Sequence, residues 1–287
     1  MCDFFPGKAG LLRCLLVLVT MSFPSFVQAE SVEKGTVLIT GSNRGIGLEF
    51  VRQYAADNWS VIATCRSPAK ADELEAIALE YPKVIIEQLD VTDAESISRL
   101  ATEYADEPIE LLINNAAYLG SRTEQMFVRQ DYELALQQYD VNALGPLRVT
   151  QAFIPNVRLA GPGKVIILGS AAGSNGYLQP PADFYSYRAS KAALHFIAHN
   201  LALELAEENV PVGLINPGLV DTRGLAKIGP DDPVPEDFKQ IVTLIRSGAI
   251  TLISPEESVE NMRALIADLS PEQSGIFLNY DGKTLPW

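Results

Sequence analysis

Tyr187 and Lys191 stand four positions apart in the run YRASK, a spacing that puts both side chains on one face of a helix, a single turn apart. A phenol ordinarily ionises near ~10, and a neighbouring ammonium favours the phenolate and lowers that value. The pair is therefore a candidate proton donor with a cation beside it. Reduction of a carbonyl leaves an alkoxide that needs such a proton, and it needs a second group to polarise the oxygen. Ser170, the last residue of KVIILGS (164–170), fits that second role, because a residue at the carboxyl end of a buried strand is held rigidly where ligands settle in open α/β sheets. Ser174 is the alternative, since GYLQPP (176–181) lengthens the stretch before Tyr187. Tyr185 has Ala189, not Lys, four residues on and cannot replace Tyr187.

A second group of residues points to a phosphate-bearing ligand. TVLIT (36–40) runs into Gly41, Ser42, Asn43, Arg44, Gly45, Ile46 and Gly47, followed at once by a helical pattern. Glycines so placed let the backbone turn tightly and approach a pyrophosphate, whose charge then lies on the N–H groups at the start of the helix. The spacing is G-x-x-x-G-x-G rather than G-x-G-x-x-G, and its position on the first strand-to-helix turn is what gives it weight. An NAD site usually carries an acidic residue about 20 residues further on, for the ribose 2′-hydroxyl. Cys65 stands there, followed by Arg66. With Arg44 and Arg66 able to grip a 2′-phosphate, the expected cofactor is NADP (NADPH).

Other chemistries find little support. His195 and His199 are four residues apart but lack a third ligand or an adjacent Glu, so no metal site is expected. GSAAG (169–173) is not a hydrolase elbow. With 22 basic against 36 acidic residues, a net of −14, the surface repels phosphate backbones, and nucleic acid is not an expected partner. Three scattered cysteines supply neither a disulfide framework nor a zinc site.

The elements that must position these residues read as an alternation. TVLIT (36–40), SVIATC (60–65), VIIEQLD (84–90), IELLINN (109–115), KVIILGS (164–170) and VPVGLINPG (210–218) are six strand candidates, apolar on both faces. Segments such as 45–57, 93–105, 128–158 and 186–208 carry helical spacing, with Leu194, Ile197, Leu201 and Leu205 on one stripe. The expected fold is a single Rossmann-type α/β domain, a doubly wound parallel sheet with helices on both faces, over 34–287. RGLAKIGPDDPVPEDF (223–238) interrupts the alternation and opens an apolar lid segment, about 223–250.

Residues 1–33 read as a leader. Lys8 and Arg13 precede an apolar run ending in Val27-Gln28-Ala29, which resembles an export signal cleaved after Ala29. The run is too short and interrupted for a stable membrane span. A start at Met21 is the alternative, leaving residues 1–20 outside the packed domain. NADPH is regenerated in the cytosol, so a cytoplasmic working protein is expected.

Taken in order, TGSNRGIG, LDVTD (89–93), NNAA (114–117), Asn142 in YDVNALGP, the strand-end Ser, YRASK, and INPG with LVDT (215–222) resemble the short-chain dehydrogenase/reductase family from about residue 35 onward. The ending SGIFLNYDGKTLPW (274–287) is similar to the tails of the C-factor and sniffer-type carbonyl reductases. The resemblance implies a catalytic set of Asn142, Ser170, Tyr187 and Lys191, with Asn142 holding a water that links Lys191 to solvent. It implies Asp90 and Val91 at the adenine, Asn115 at the adenosine ribose and Ala116 beside it. Pro217, Gly218, Val220 and Thr222 would meet the nicotinamide, and Lys191 its ribose. Ala117 departs from the family's usual Gly. The expected activity is NADPH-dependent reduction of a small-molecule ketone or aldehyde. An NADP-binding signalling protein is the alternative, and a homo-oligomer is left open.

Overall fold

Strands whose side chains alternate between two apolar layers need helices on both sides of the sheet. In β1 (Thr36–Thr40), Val37 and Ile39 face one hydrophobic layer and Leu38 the other, all fully buried. In this computed structural model, which describes residues 1–3, 34–177, 182–229 and 231–287, the remaining strands are β2 (Ser60–Cys65), β3 (Val84–Gln88), β4 (Leu111–Asn114), β5 (Lys164–Leu168), β6 (Val212–Asn216) and β7 (Phe277–Asn279). They pair in the order β3-β2-β1-β4-β5-β6-β7, every neighbour parallel. Helices α1 (Gly45–Ala56), α2 (Asp72–Glu80) and α8 (Pro255–Asp268) supply Leu48, Leu74 and Met262 to one layer. On the opposite face, α3 (Ala94–Glu103), α5 (Gly145–Leu159) and α6 (Tyr185–Leu205) supply Leu100, Phe153 and Leu194. This is a doubly wound Rossmann-type sheet, and the strand order reverses between β1 and β4, which opens a crevice at their carboxyl ends.

Several boundaries differ from the sequence reading. The apolar pattern runs past the ladder, so the expected strands 84–90, 109–115, 164–170 and 210–218 shorten to 84–88, 111–114, 164–168 and 212–216. Ser170 therefore lies two residues beyond β5 rather than on it. The expected helix 128–158 is three pieces: α4 (Tyr132–Tyr139), one π turn at Asp140–Leu144, and α5. The seventh strand, α2 and α8 were not assigned from sequence; β7 has three residues, below the length at which alternation can be seen. The lid segment holds two 3₁₀ turns, Leu225–Lys227 and Glu236–Phe238, and α7 (Lys239–Arg246). The leader, with its cleavage point and its alternative start, falls on residues outside those described, as do positions 178–181 of the GYLQPP stretch. Among the described residues, no helix is long and apolar enough to cross a membrane.

One buried hydroxyl joins the strands that flank the crevice. The Thr40 Oγ1 atom accepts from the backbone N–H groups of Asn115 and Ala116, both at 3.0 Å, as the chain leaves β4. In return, Asn115 Nδ2 donates to the carbonyls of Thr40 (2.8 Å) and Gly41 (3.0 Å). Replacing Thr40 by Val keeps the shape but leaves two amides without an acceptor. We expect a stability loss of about 1–3 kcal/mol. It should appear in urea denaturation as a lower midpoint at unchanged slope.

Candidate active site

One face of α6 lies against the chain just past β5. The Ser170 hydroxyl lies at the Tyr187 phenol, near enough to lower its pKa, and accepts from the backbone N–H of Ala172 at 3.2 Å. One turn further along α6, Lys191 is only 4% exposed and its Nζ donates to the Leu168 carbonyl at 2.9 Å. Burial pulls the Lys191 pKa down to about 8. Burial also pushes the Tyr187 phenol above its ordinary value, and the Ser170 hydroxyl partly opposes this. That direction is opposite to the lowering expected from an adjacent ammonium, because desolvation of the phenol outweighs every other influence. Ser174 is held elsewhere: its hydroxyl donates to the Pro286 carbonyl at 2.5 Å and accepts from the Tyr177 N–H. Of the two serines, Ser170 is the one at Tyr187.

Asn142 sits in the π turn, fully buried. Its Oδ1 accepts from the Tyr118 N–H at 2.7 Å, and its Nδ2 donates to the Tyr118 carbonyl and to Ser190 Oγ, each at 3.0 Å. Ser190 in turn donates to the Tyr187 carbonyl at 2.8 Å. The residue thus ties the loop after β4 to α6. An isolated π turn is a common interruption at functional sites, since it frees backbone groups from the i→i−4 pattern.

Sequence reasoning missed the groups that fix the start of α6. Gln125 is fully buried; its Oε1 accepts from the Tyr187 N–H at 3.1 Å, and its Nε2 donates to the carbonyls of Leu119 and Ser121. Asp183, also buried, pairs with Arg122 at 3.0 Å and Arg188 at 2.9 Å. Phe184, the residue before α6, adopts a left-handed conformation with φ 51°. A glutamine in a polar loop carries no periodic signal, and only the tertiary contact reveals it.

The crevice residues gather around the first turn of α1. Gly41 and Gly45 have positive φ. A Cβ on Gly47 would come within 2.2 Å of the Gly41 carbonyl oxygen, so loop and helix are closer than any other residue permits. Arg44 caps α1 without a side-chain hydrogen bond, and the first turn has no acidic residue. Ser42 is buried, its hydroxyl donating to the Ile39 carbonyl, while Asn43 and Ile46 are half-buried. Arg66 is exposed just past the buried Cys65, and among the described residues neither Arg44 nor Arg66 has an acidic partner. These features fit a dinucleotide: a cradle kept open by glycines, unpaired amides at a helix start, and free guanidinium groups for an extra phosphate. Asp90 is turned into its own loop, accepting from the N–H and hydroxyl of Thr92, and Val91 packs where a Cβ on Gly145 would lie. Asn115 and Ala116 are half-buried at the glycine loop, whereas Ala117 is exposed. Beyond β6, the Pro217 carbonyl accepts from Ser258 Oγ at 2.7 Å, and Gly218 has φ 83°. Val220 bridges to Ile253, and Thr222 comes within 3.1 Å of a Cβ built on Gly45, which brings the loop after β6 to the glycine loop.

Comparison with known proteins follows the same lines. The short chain dehydrogenase family model matches residues 35–233. An uncharacterised oxidoreductase of Schizosaccharomyces pombe is 32% identical over 256 residues, covering 87% of this chain and 96% of that protein. The NADPH-bound carbonyl reductase from chicken fatty liver superimposes with a TM-score of 0.74 at 31% identity, covering 89% of this chain and all of that one. The carbonyl reductase Sniffer of D. melanogaster shares the fold, with a TM-score of 0.73 at 23% identity over 88% of this chain and 99% of that one.

The buried ammonium makes stability depend on pH. Between about 8 and the ordinary 10.5, the unfolded chain holds a proton at Lys191 that the folded chain has lost, so stability rises with pH through that window. Lys191→Met removes this titration. The stability of the natural protein relative to the variant is expected to climb by up to about 3 kcal/mol from below pH 8 to above pH 10.5, as read by urea denaturation at the two extremes.

Proposed function

The chain belongs to the short-chain dehydrogenase family, and from that premise we propose that it reduces a ketone or aldehyde with NADPH, Tyr187 acting as the general acid. The observation that carries the reading is the placement of Ser170 at the Tyr187 phenol, with the buried Lys191 one turn away. When bound, the reduced nicotinamide supplies a hydride to the carbonyl carbon. The glycine loop Gly41–Gly47 would hold the pyrophosphate, and Arg44 and Arg66 the 2′-phosphate. Asp90, Val91, Asn115 and Ala116 would line the adenosine end, and Pro217, Gly218, Val220 and Thr222 the nicotinamide end. Preference for the phosphorylated cofactor is supported by Cys65 and Arg66 standing where a carboxylate would exclude it.

The chain's own groups then act on the oxygen. Ser170 Oγ–H donates to the carbonyl and polarises it. Because burial keeps the phenol protonated at neutral pH, Tyr187 is ready to release its proton to the alkoxide. Lys191, cationic below about pH 8, stabilises the phenolate that remains, and Asn142 serves its reprotonation through water. A protein that only binds NADP needs none of these groups, so their coexistence supports turnover over a purely signalling role. Residues 34–287 form the catalytic domain in this reading, with 223–250 as its lid. Support for the lid comes from Asp237, whose carboxylate accepts from the Ser121 hydroxyl at 3.0 Å and the Thr123 N–H at 3.3 Å in the loop after β4. Cytosolic regeneration of NADPH supports a cytoplasmic working location.

Purified protein tested against a panel of carbonyl compounds, with NADPH absorbance as the readout, checks the activity. Tyr187→Phe is expected to lower turnover by ~10² or more while cofactor affinity stays nearly unchanged. Ser170→Ala should cost far more turnover than Ser174→Ala; the reverse order overturns the assignment of Ser170.

Cofactor choice is tested separately by titration. NADPH should bind at least about tenfold more tightly than NADH, equivalent to about 1.4 kcal/mol. Removing both guanidinium groups with Arg44→Ala and Arg66→Ala should erase the difference, and Cys65→Asp should shift preference toward NADH. Equal affinities in the natural protein would show that the 2′-phosphate is not read at these positions.

A further inference from the structure

His195 lies one turn beyond Lys191 on the same face of α6, in contact with the residue that the proposed mechanism places at the substrate oxygen. The ring is 3% exposed. Its Nε2 accepts from the backbone N–H of Ser170 at 3.2 Å. The last ladder bond of this strand is from the Gly169 N–H to the Ile215 carbonyl, so His195 takes the first amide beyond the sheet. Gly169 gives the ring its room, since a Cβ there would stand 3.0 Å from Nε2 and from Leu214 and 3.2 Å from Phe277. Phe277 packs on the imidazole at 4.5 Å between ring centres, and Trp287 meets it edge-on at 6.2 Å.

The electrostatics suit an acceptor. Burial and the Lys191 ammonium pull the imidazole pKa down to about 3, so the ring is neutral wherever the protein is folded and active. An Nε2 that accepts cannot carry the proton, which must then sit on Nδ1. Nδ1 is buried without a hydrogen-bond partner among the described residues. A buried donor left unmade is destabilising, and an apolar side chain of similar size would avoid it. The gain that offsets this is the hold on Ser170.

We infer that His195 is a positioning residue that fixes Ser170 by accepting its backbone N–H, so that two turns of one helix grip the serine at both its hydroxyl and its amide. Tyr187 meets the hydroxyl, and His195 meets the amide. The consequence for turnover rests on the reading that Ser170 polarises the substrate carbonyl.

The test pairs kinetics with NMR. With NADPH and 4-nitrobenzaldehyde, His195→Leu is expected to lower kcat by about tenfold or more, with NADPH affinity and aldehyde KM within about twofold of the natural protein. His195→Gln, whose side-chain oxygen reaches the same amide, should restore most of the rate. In the double variant with Ser170→Ala, the two losses should not multiply, because both act through one serine. A leucine variant with unchanged kcat, a glutamine variant as impaired as the leucine one, or multiplying losses would each overturn the inference. If Ser170→Ala alone leaves turnover intact, the reading of Ser170 fails instead. The natural protein with ¹⁵N-labelled histidine decides the geometry without turnover: a neutral ring protonated at Nδ1 and coupled through Nε2 to the Ser170 amide is expected at pH 7. A ring protonated at Nε2 would defeat it whether or not the variants fold.

Discussion

A buried ammonium whose hydrogen bond ends on a backbone carbonyl is expensive, and the architecture around Lys191 is arranged so that the charge has nowhere else to go. Its Nζ reaches the Leu168 carbonyl at the last residue of β5, and Tyr187 and His195 sit one turn to either side, both directed at Ser170. This contact works only if α6 keeps one rotation and one depth against the strand. A one-residue slip would rotate the stripe by about 100°, putting Arg188, Ala192 and Phe196, or Ser186, Ser190 and Leu194, where Tyr187, Lys191 and His195 now stand. The register of α6 is therefore the constraint that the neighbouring loops serve.

That register is set at the helix start and along its side rather than by the hydrophobic stripe alone. Gln125 takes the Tyr187 amide, Asp183 holds Arg122 and Arg188, and Asn142 reaches Ser190 from the π turn. The segment Leu285–Trp287 closes the far side: Pro286 and Trp287 offer their carbonyls to Ser174 and to the Gly176 N–H, bracing the loop that begins at Ser170. A Cβ on Gly176 would come 2.6 Å from Pro286, so the loop and this segment are in close contact. Ser174 is thus the anchor of the loop whose first serine meets Tyr187. The sequence alone left both serines open because loop geometry was the missing information.

Local patterns carried the fold and the two motif-bearing turns into view. Strands buried on both faces leave unbroken apolar runs, and the glycine loop is legible because positive φ and close approach restrict its residues at Gly41, Gly45 and Gly47. YRASK is legible because helical spacing makes the pair face one way. The remainder is tertiary. Gln125, Asp183 and the carbonyl beneath Lys191 are separated from their partners along the chain, and no periodicity links them. The sign of the Tyr187 shift escaped for the same reason: adjacency to Lys191 can be read from spacing, whereas burial of the phenol depends on what the surrounding loops cover. His195, set aside for want of metal partners, acquires a role only when the amide past β5 comes into contact with it.

Many of the buried polar groups gather at one end of the sheet. The strands are filled by Val, Ile and Leu, while Thr40, Asn114, Asn142, Lys191, His195 and Asn216 are buried at or beside the carboxyl ends of β1, β4, β5 and β6. Each such group must find a partner or cost stability, and some atoms here do not: Asn114 Oδ1 and His195 Nδ1 have none among the described residues. An unmade bond of that kind is a cost that folding alone gives no reason to carry. The polar end is therefore not explained by folding. It is explained if its groups must be rigid before a ligand arrives, because an oriented donor that needs no rearrangement stabilises developing charge more than one that must first be ordered. The apolar strands provide the stability from which that ordering is drawn.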